Sequence, residues 1–258
     1  MLNYAELDRL RVRLPLKALT FNIHNGINWY GKYNLEQLAE FIDGLKPDLA
    51  GIQEVSRFWS AKTDYQDMAS ILGERLGMYP VFSATIGRGN KAFFGNLVLS
   101  KYPILKIWSE ILPGNLEPRN YLAVQVQVRG ARINFLTTHL GLSNAERLAQ
   151  VSKIISFGVR LGNPLIITGD FNEKPNGSGV VLLNGNWVKH NPSPQQGTLR
   201  LSDQEIGPEI DMIFTSPDFV LKSMKVCENA LSDHLPVIAE LGLELSWSQV
   251  AGEPILLH

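Results

Sequence analysis

The chain has one cysteine, Cys227, in 258 residues. A lone thiol excludes an internal disulfide and any zinc site built from several cysteines, so a reducing compartment, the cytoplasm, is the expected location. An apolar run approaching the roughly 18 residues of a membrane-spanning helix is also missing. Glu6, Asp8, Arg9, Arg11, Arg13 and Lys17 are scattered through the first twenty residues, a pattern unlike a signal peptide. Nor is there an excess of charge of either sign, since Lys and Arg number 24 and Asp and Glu 25. A net charge of -1 exerts no long-range pull on a polyanion. That disfavours tight non-specific nucleic-acid binding and leaves room for a local basic patch. Repeats and low-complexity tracts are absent, nothing marks a partner-protein surface, and oligomeric state stays open.

What is present is a large apolar fraction, 45%, enough for a substantial core. The pattern predicts one domain over residues 1–258, with a core at about 16–242, an arm at 1–15 and a tail at 243–258. Leu16 to Ile23 alternates as a strand. Asn34 to Leu45 has the spacing of a helix, and Leu49 to Glu54 reads as a strand. Thr63 and Gln66 resemble a capping box before a second helix, which leads to a strand near Pro80 to Thr85. Asn96–Ser100, Ile104–Ile111, Tyr121–Val128 and Ile133–Thr138 read as strands, with Arg129-Gly130 as a hairpin turn. Ser143 and Glu146 form a capping box for a helix that closes near Gly162-Asn163-Pro164. Strands follow near Leu165–Thr168, Ile210–Thr215, Val220–Val226 and Val237–Leu241. The loop Asn184–Gln204 is long enough for a surface or site-lining role. Strands pairing largely as hairpins, with helices between them, predict an α+β fold of two sheets with helices outside.

Polar groups gather where these strands end. Asn22, Glu54, His139, Asp170 with Asn172, and Asp211 each follow an apolar run, and Asp233-His234 precedes one. Residues at i and i+2 of an extended segment project the same way, so Asp170 and Asn172 address one centre. A hard cation such as Mg²⁺ or Mn²⁺ suits the oxygen-rich part, with Glu54, Asn22 and Asp233 as its ligands. Asp170 and Asn172 can align a water. His234, if oriented by Asp211, can serve as general base or, as imidazolium, stabilise phosphate charge, with His139 a second donor. Arg119 can fork onto a phosphate oxygen, and a solvated surface arginine fits it equally. For His24, a structural and a substrate-binding role are balanced. The loops Asn28–Tyr33 and Arg57–Lys62 mix aromatics with cations, a combination suited to stacking a base, to a lipid interface or to plain packing. Gly87–Lys91 reads as a flexible loop with a phosphate cradle as the other option.

The segments Thr20-Phe21-Asn22-Ile23-His24, Ile52-Gln53-Glu54-Val55, Gly95-Asn96-Leu97-Val98-Leu99-Ser100, Thr138-His139-Leu140, Gly169-Asp170-Phe171-Asn172, Ile210-Asp211 and Ser232-Asp233-His234-Leu235-Pro236 resemble, in order, the motifs of the endonuclease/exonuclease/phosphatase superfamily. The resemblance covers residues 16 to 242. It implies a deoxyribonuclease-I-like four-layer α/β/β/α sandwich and divalent-metal hydrolysis of a phosphoester, nucleic acid being one candidate substrate. By position, Glu54 matches the metal-binding glutamate and Asn22 its asparagine neighbour. Asp170 and Asn172 match the pair around the nucleophile, Asp211 the partner of the last histidine, and Asp233-His234 the terminal pair. His24 stands where abasic-site endonucleases carry aspartate, and the Trp-x-Gly-Asp-x-Asn and Pro-x-Trp-Cys-Asp-Arg patterns of inositol-polyphosphate 5-phosphatases are missing. A nuclease or small-substrate phosphodiesterase is the expected activity. A sphingomyelinase-like lipid phosphodiesterase or a phosphatase is the alternative, and a catalytically silent scaffold is the alternative of another class.

Overall fold

The computed structural model describes residues 11–192 and 195–246. In chain order, β1 (Arg11–Asn22) is followed by α1 (Leu35–Leu45), β2 (Leu49–Arg57), α2 (Met68–Leu76), β3 (Tyr79–Arg88) and β4 (Ala92–Ser100). Next come β5 (Ile104–Ile111), β6 (Asn120–Val128), β7 (Ala131–His139), α3 (Asn144–Leu161) and β8 (Leu165–Asp170). The series continues with α4 (Ser178–Asn184), β9 (Val188–Lys189), β10 (Asp211–Thr215), β11 (Phe219–Val226) and β12 (Val237–Ser246).

The strands form two six-stranded sheets, ordered β11-β12-β1-β2-β4-β3 and β5-β6-β7-β8-β10-β9. Pairing is antiparallel except for β1 with β2 and β7 with β8. Those two parallel pairs are the ones joined through a helix, α1 and α3, because a parallel neighbour needs a crossover rather than a tight turn. Between the sheets lie Leu16, Ala18, Leu49 and Val98 from one and Leu122, Val124, Phe135, Ile166 and Ile213 from the other. Leu38, Ile42 and Leu72 of α1 and α2 cover Leu19, Phe21 and Ile52 on the outer face of the first sheet. Val151, Ile154, Val180 and Leu183 of α3 and α4 cover Leu136, Leu165, Ile167 and Phe214 on the second. Each large side chain buried in these layers contributes about 1.5–3 kcal/mol. The four-layer sandwich is the fold the sequence predicts.

Several local expectations change. The β1 to β12 ladder runs from Arg11 opposite Ser246 to Thr20 opposite Val237, so the sheet extends beyond the anticipated core at both ends. The rest of the arm and the tail, residues 1–10 and 247–258, lie outside the described residues. The cap of α2 is Asp67, whose Oδ1 accepts from Ser70 N at 3.2 Å, rather than Thr63, which sits in a 3-10 turn. Ser143 does cap α3, accepting from Glu146 N at 3.2 Å. The Glu146 carboxylate does not close a capping box; it receives Asn115 N at 2.8 Å and Leu116 N at 3.0 Å, tying the β5–β6 loop to the helix. The roughly two turns of α4 have no counterpart among the elements expected from periodicity, since Gly177-Ser178-Gly179 masks the start.

Between the sheets the side chains change character toward one end. On β1 the inward series runs Leu14, Leu16, Ala18, Thr20, Asn22; on β7, Phe135, Thr137, His139; on β8, Ile166, Thr168, Asp170. An apolar core thus gives way to a layer of Thr20, Gln53, Thr137 and Thr168, with Gln53 Nε2 donating to Thr137 Oγ1 across the sheets at 2.8 Å. Gly51 belongs to this layer because a Cβ there would fall 2.4 Å from Thr168 Oγ1. Beyond it lies the site.

Candidate active site

Strict alternation along β2 sends Gln53 inward and Glu54 outward, toward the helices. The structure inserts a bulge between Ile52 and Val55, with Glu54 at a φ of 59°, and both side chains then face the gap between the sheets. A non-glycine residue in the left-handed region costs on the order of 1 kcal/mol or more. The strain is located at the residue whose carboxylate must be turned.

Asp170 stands at the centre, 1% exposed. Its Oδ2 accepts from Asn22 Nδ2 at 3.0 Å and lies 3.3 Å from His139 Nε2 and 3.7 Å from His234 Nε2. Its Oδ1 accepts from Asn172 N at 2.8 Å. Asn22 Nδ2 also donates to Glu54 Oε1 at 3.0 Å, so one amide nitrogen serves two carboxylates. Asn172, itself at a φ of 48°, donates from Nδ2 to Leu140 O at 2.9 Å and lies 3.0 Å from His139 Nε2. Asp211 is the register partner of Asp170 across the β8 to β10 ladder, and its Oδ2 meets His234 Nδ1 at 2.9 Å. Asn22, Glu54, His139, Asp170, Asn172, Asp211 and His234 therefore form one connected set, drawn from both sheets.

The protonation of this set follows from its burial. Desolvation raises the Glu54 pKa, with the amide of Asn22 opposing and the charge of Asp170 reinforcing. Desolvation carries His139 down to about 3, against the attraction of Asp170 and with Arg119 assisting. An ion pair is suggested by the His139 to Asp170 distance alone, yet burial prevails, with the charges of Arg119 and His234 opposing the proton as well. His234 behaves oppositely. Burial lowers its pKa, but Asp211, by charge and hydrogen bond, together with Asp170 and Asp233, outweighs this and lifts it to about 10. The two histidines that flank one carboxylate are thus a neutral imidazole and an imidazolium.

Three expected residues sit differently from the expectation. Asn22 Oδ1 accepts from His24 N at 3.0 Å, which turns the amide nitrogen toward the carboxylates and makes Asn22 a donor to both. Asp233 Oδ1 is 3.6 Å from His24 Nδ1 and 3.2 Å from Ser232 Oγ, a pairing at the rim beside His234. Arg119 is buried, not solvated; it pairs with Glu117 at 3.1 Å, and its Nε has no hydrogen-bond partner among the described residues.

Of the aromatic loops, Trp59 lies between Phe94, 5.8 Å away, and the Arg88 guanidinium, 4.0 Å from its ring centre. Trp29 donates to Asp203 Oδ1 at 2.6 Å. Tyr30 and Phe58 remain exposed on the same loops, and Tyr65 just beyond the second. Gly89 to Lys91 form the turn between β3 and β4.

Residues without an assigned role also build the site. Ser232 Oγ donates to Asn22 O at 2.8 Å and accepts from His234 N at 3.2 Å. Asn96 Nδ2 donates to Asn120 Oδ1 at 2.7 Å, and Asn120 Nδ2 to Ser83 Oγ at 2.8 Å, joining the two sheets. Asn96 and Ser232 stand inside motif segments. Thr198 lies in a loop of polar residues with no periodicity to expose it.

Asp170, Asp211 and His234 each offer a ligand atom within 4.8 Å of the others, so this buried trio could hold a metal ion. The hydrogen bond between Asp211 and His234 engages one atom of each. Half-buried Glu54 and buried Asp170 give a further oxygen set, and with Asp211 they make three carboxylates around the one His234 imidazolium. That unbalanced charge suits a hard divalent cation.

Two sheets with a shared carboxylate centre and a His–Asp pair between them make up the site, and the chain belongs to the Endonuclease/Exonuclease/phosphatase family, whose model matches residues 19–234. Over 182 residues it is 26% identical to the uncharacterized protein YbhP of Escherichia coli K12, covering 62% of this chain and 68% of that one. A family protein from Bacteroides thetaiotaomicron shares the fold with a TM-score of 0.77 at 19% identity, over 91% of this chain and all of that one. The human Nocturnin catalytic domain does so with a TM-score of 0.69 at 20% identity, over 91% and 96%.

Proposed function

We propose that the protein is a divalent-metal-dependent phosphoesterase that hydrolyses a phosphodiester with water as the nucleophile. The observation that carries this reading is the position of Asp170 Oδ2, within 3.7 Å of a neutral histidine, a charged histidine and the Asn22 amide at once. Asp170 and Asn172 hold the attacking water and Asp170 accepts its proton. His234, held as imidazolium by Asp211, is a poor base, so it donates from Nε2 to the phosphoryl oxygens. His139, with Nε2 turned to Asn172 and Asp170, fixes that pair rather than reaching to the phosphate. Arg119 supplies further positive charge near His139. Glu54 and Asp170 would hold Mg²⁺ or Mn²⁺, which supplies positive charge for the phosphoryl oxygens when bound. A nucleotide or nucleic acid and a small phosphodiester are the leading substrate classes. The solved neighbours span several activities by name, including a Bacteroides thetaiotaomicron mannosyl-6-phosphatase and the TDP2 of Caenorhabditis elegans, so a phosphatase is the second reading.

The test is turnover of bis(p-nitrophenyl) phosphate with Mg²⁺ or Mn²⁺, beside plasmid DNA, RNA, a phosphocholine ester and a sugar monophosphate. Asp170→Ala and His234→Ala are expected to lower kcat by about 10²-fold or more, the usual scale for a positioned acid or base, with the thermal transition retained. Wild-type rates in either variant would refute the roles assigned to Asp170 and His234. No turnover of any ester by the unaltered protein would leave the silent scaffold as the correct description.

A further inference from the structure

Asp211 and His234 are 23 residues apart, and the segments that carry them meet at one residue. Thr198 is fully buried, and its Oγ1 accepts two main-chain donors, Ile210 N and Asp211 N, each at 3.0 Å. Its own N–H donates to Pro208 O at 3.0 Å, and its carbonyl accepts Leu235 N at 2.7 Å. The next residue, Leu199, forms an isolated bridge with His234, and Arg200 N donates to Asp233 O at 2.7 Å. Thr198 is therefore in register with both members of the pair: its side chain holds the start of β10, where Asp211 sits, and its main chain holds the segment that presents His234.

We infer that Thr198 is a positioning residue, whose hydroxyl sets the Asp211 carboxylate against His234 Nδ1. It touches neither reacting atoms nor the carboxylates of Glu54 and Asp170. Both lone pairs of the hydroxyl are used, and the two amides it receives lie at the entry to β10. Removing the hydroxyl leaves both amides buried and unpaired. The start of β10 must then shift to recover partners, and the Asp211 carboxylate shifts with it. A carboxylate displaced by a few tenths of an ångström no longer orients the imidazole, while groups that bind substrate elsewhere in the cleft are untouched. A valine side chain has the shape of threonine without the acceptor, and a serine keeps the acceptor without the methyl group.

This inference rests on the hydrolase reading above, and the experiment separates the two. Steady-state kinetics on bis(p-nitrophenyl) phosphate with Mn²⁺ are compared for the unaltered protein, Thr198→Val, Thr198→Ala and Thr198→Ser. Inactivity of the unaltered protein refutes the hydrolase reading itself. Given activity, Thr198→Val is expected to lower kcat about 10- to 100-fold with KM within about twofold, and Thr198→Ser to recover kcat to within about threefold, as for an interaction needed only in the transition state. A second readout needs no turnover. The ring proton between His234 and Asp211, followed by proton NMR and assigned through its loss in His234→Gln, is expected to move or broaden in Thr198→Val and to stay in place in Thr198→Ser. If Thr198→Val does not fold, Thr198→Ala carries the same comparison. Unchanged kcat and an unmoved ring proton in the valine or alanine variant overturn the inference, as does a serine variant no better than valine.

Discussion

At the scale of single residues, the histidines show how environment rather than identity sets behaviour. His139 and His234 flank one carboxylate, one neutral and the other cationic, because His234 has Asp211 behind it, whereas at His139 burial, with Arg119 and His234 assisting, outweighs Asp170. A third, His190, lies away from the site; its Nε2 meets Thr215 Oγ1 at 2.7 Å, and burial followed by the charge of Lys189 lowers its pKa. The unfolded chain therefore takes up a proton at this position before the folded chain does. The contribution of this group to stability must fall as pH drops below the ordinary histidine range near about 6.5 and be constant above it. Urea unfolding at about pH 7.5 and 5.5, on either side of that range, is expected to show a smaller acid loss in His190→Gln than in the unaltered protein; equal losses would mean that the proton is taken up elsewhere. The identities of the charged site residues are readable in the sequence because strand-end Asp, Asn and His are conspicuous after apolar runs. Their orientations are not, since Asn22 is turned by a main-chain donor from His24 and Arg119 is buried by packing that no local pattern encodes.

At the scale of elements, periodicity reveals α1, β5 and α3 closely and the second half of β1, whose first residues, Arg11–Pro15, alternate too weakly to be marked. It fails where the departure from period is itself the functional device. The bulge in β2 is such a case: alternation assigns Glu54 to the wrong face, and only the left-handed backbone turns it inward. The helix α4 is hidden for a different reason, its glycine-flanked start and its seven-residue length. The polar layer under the site has its own requirement. A Cβ at Gly51 would meet Thr168 Oγ1 at 2.4 Å and Thr137 Oγ1 at 2.5 Å, so both threonines must move and release Gln53. Gly51→Ala is expected to destabilise the fold by about 1–3 kcal/mol, the range for overpacking, measured as a lower urea midpoint at constant slope. An unshifted midpoint would show that the sheets separate easily at this layer.

At the scale of the whole molecule, Glu54, Asp170 and Asp211 around a single His234 imidazolium leave an unbalanced negative charge that a cation would relieve. Since such a cation binds the folded state only, Mg²⁺ or Mn²⁺ is expected to raise the thermal transition, by the equivalent of about 2.7 kcal/mol at a hundredfold excess over Kd. The rise should be absent in Glu54→Gln, and EDTA should abolish turnover. An equal rise in both proteins would place the ion elsewhere. The cross-sheet origin of the site carries a last consequence. Asn22 and Glu54 belong to one sheet, His139, Asp170 and Asp211 to the other, and neither owns a complete set. Catalytic competence is thus a property of docking: during refolding no half-built species can turn over substrate, and the return of activity dates the moment at which the two halves close.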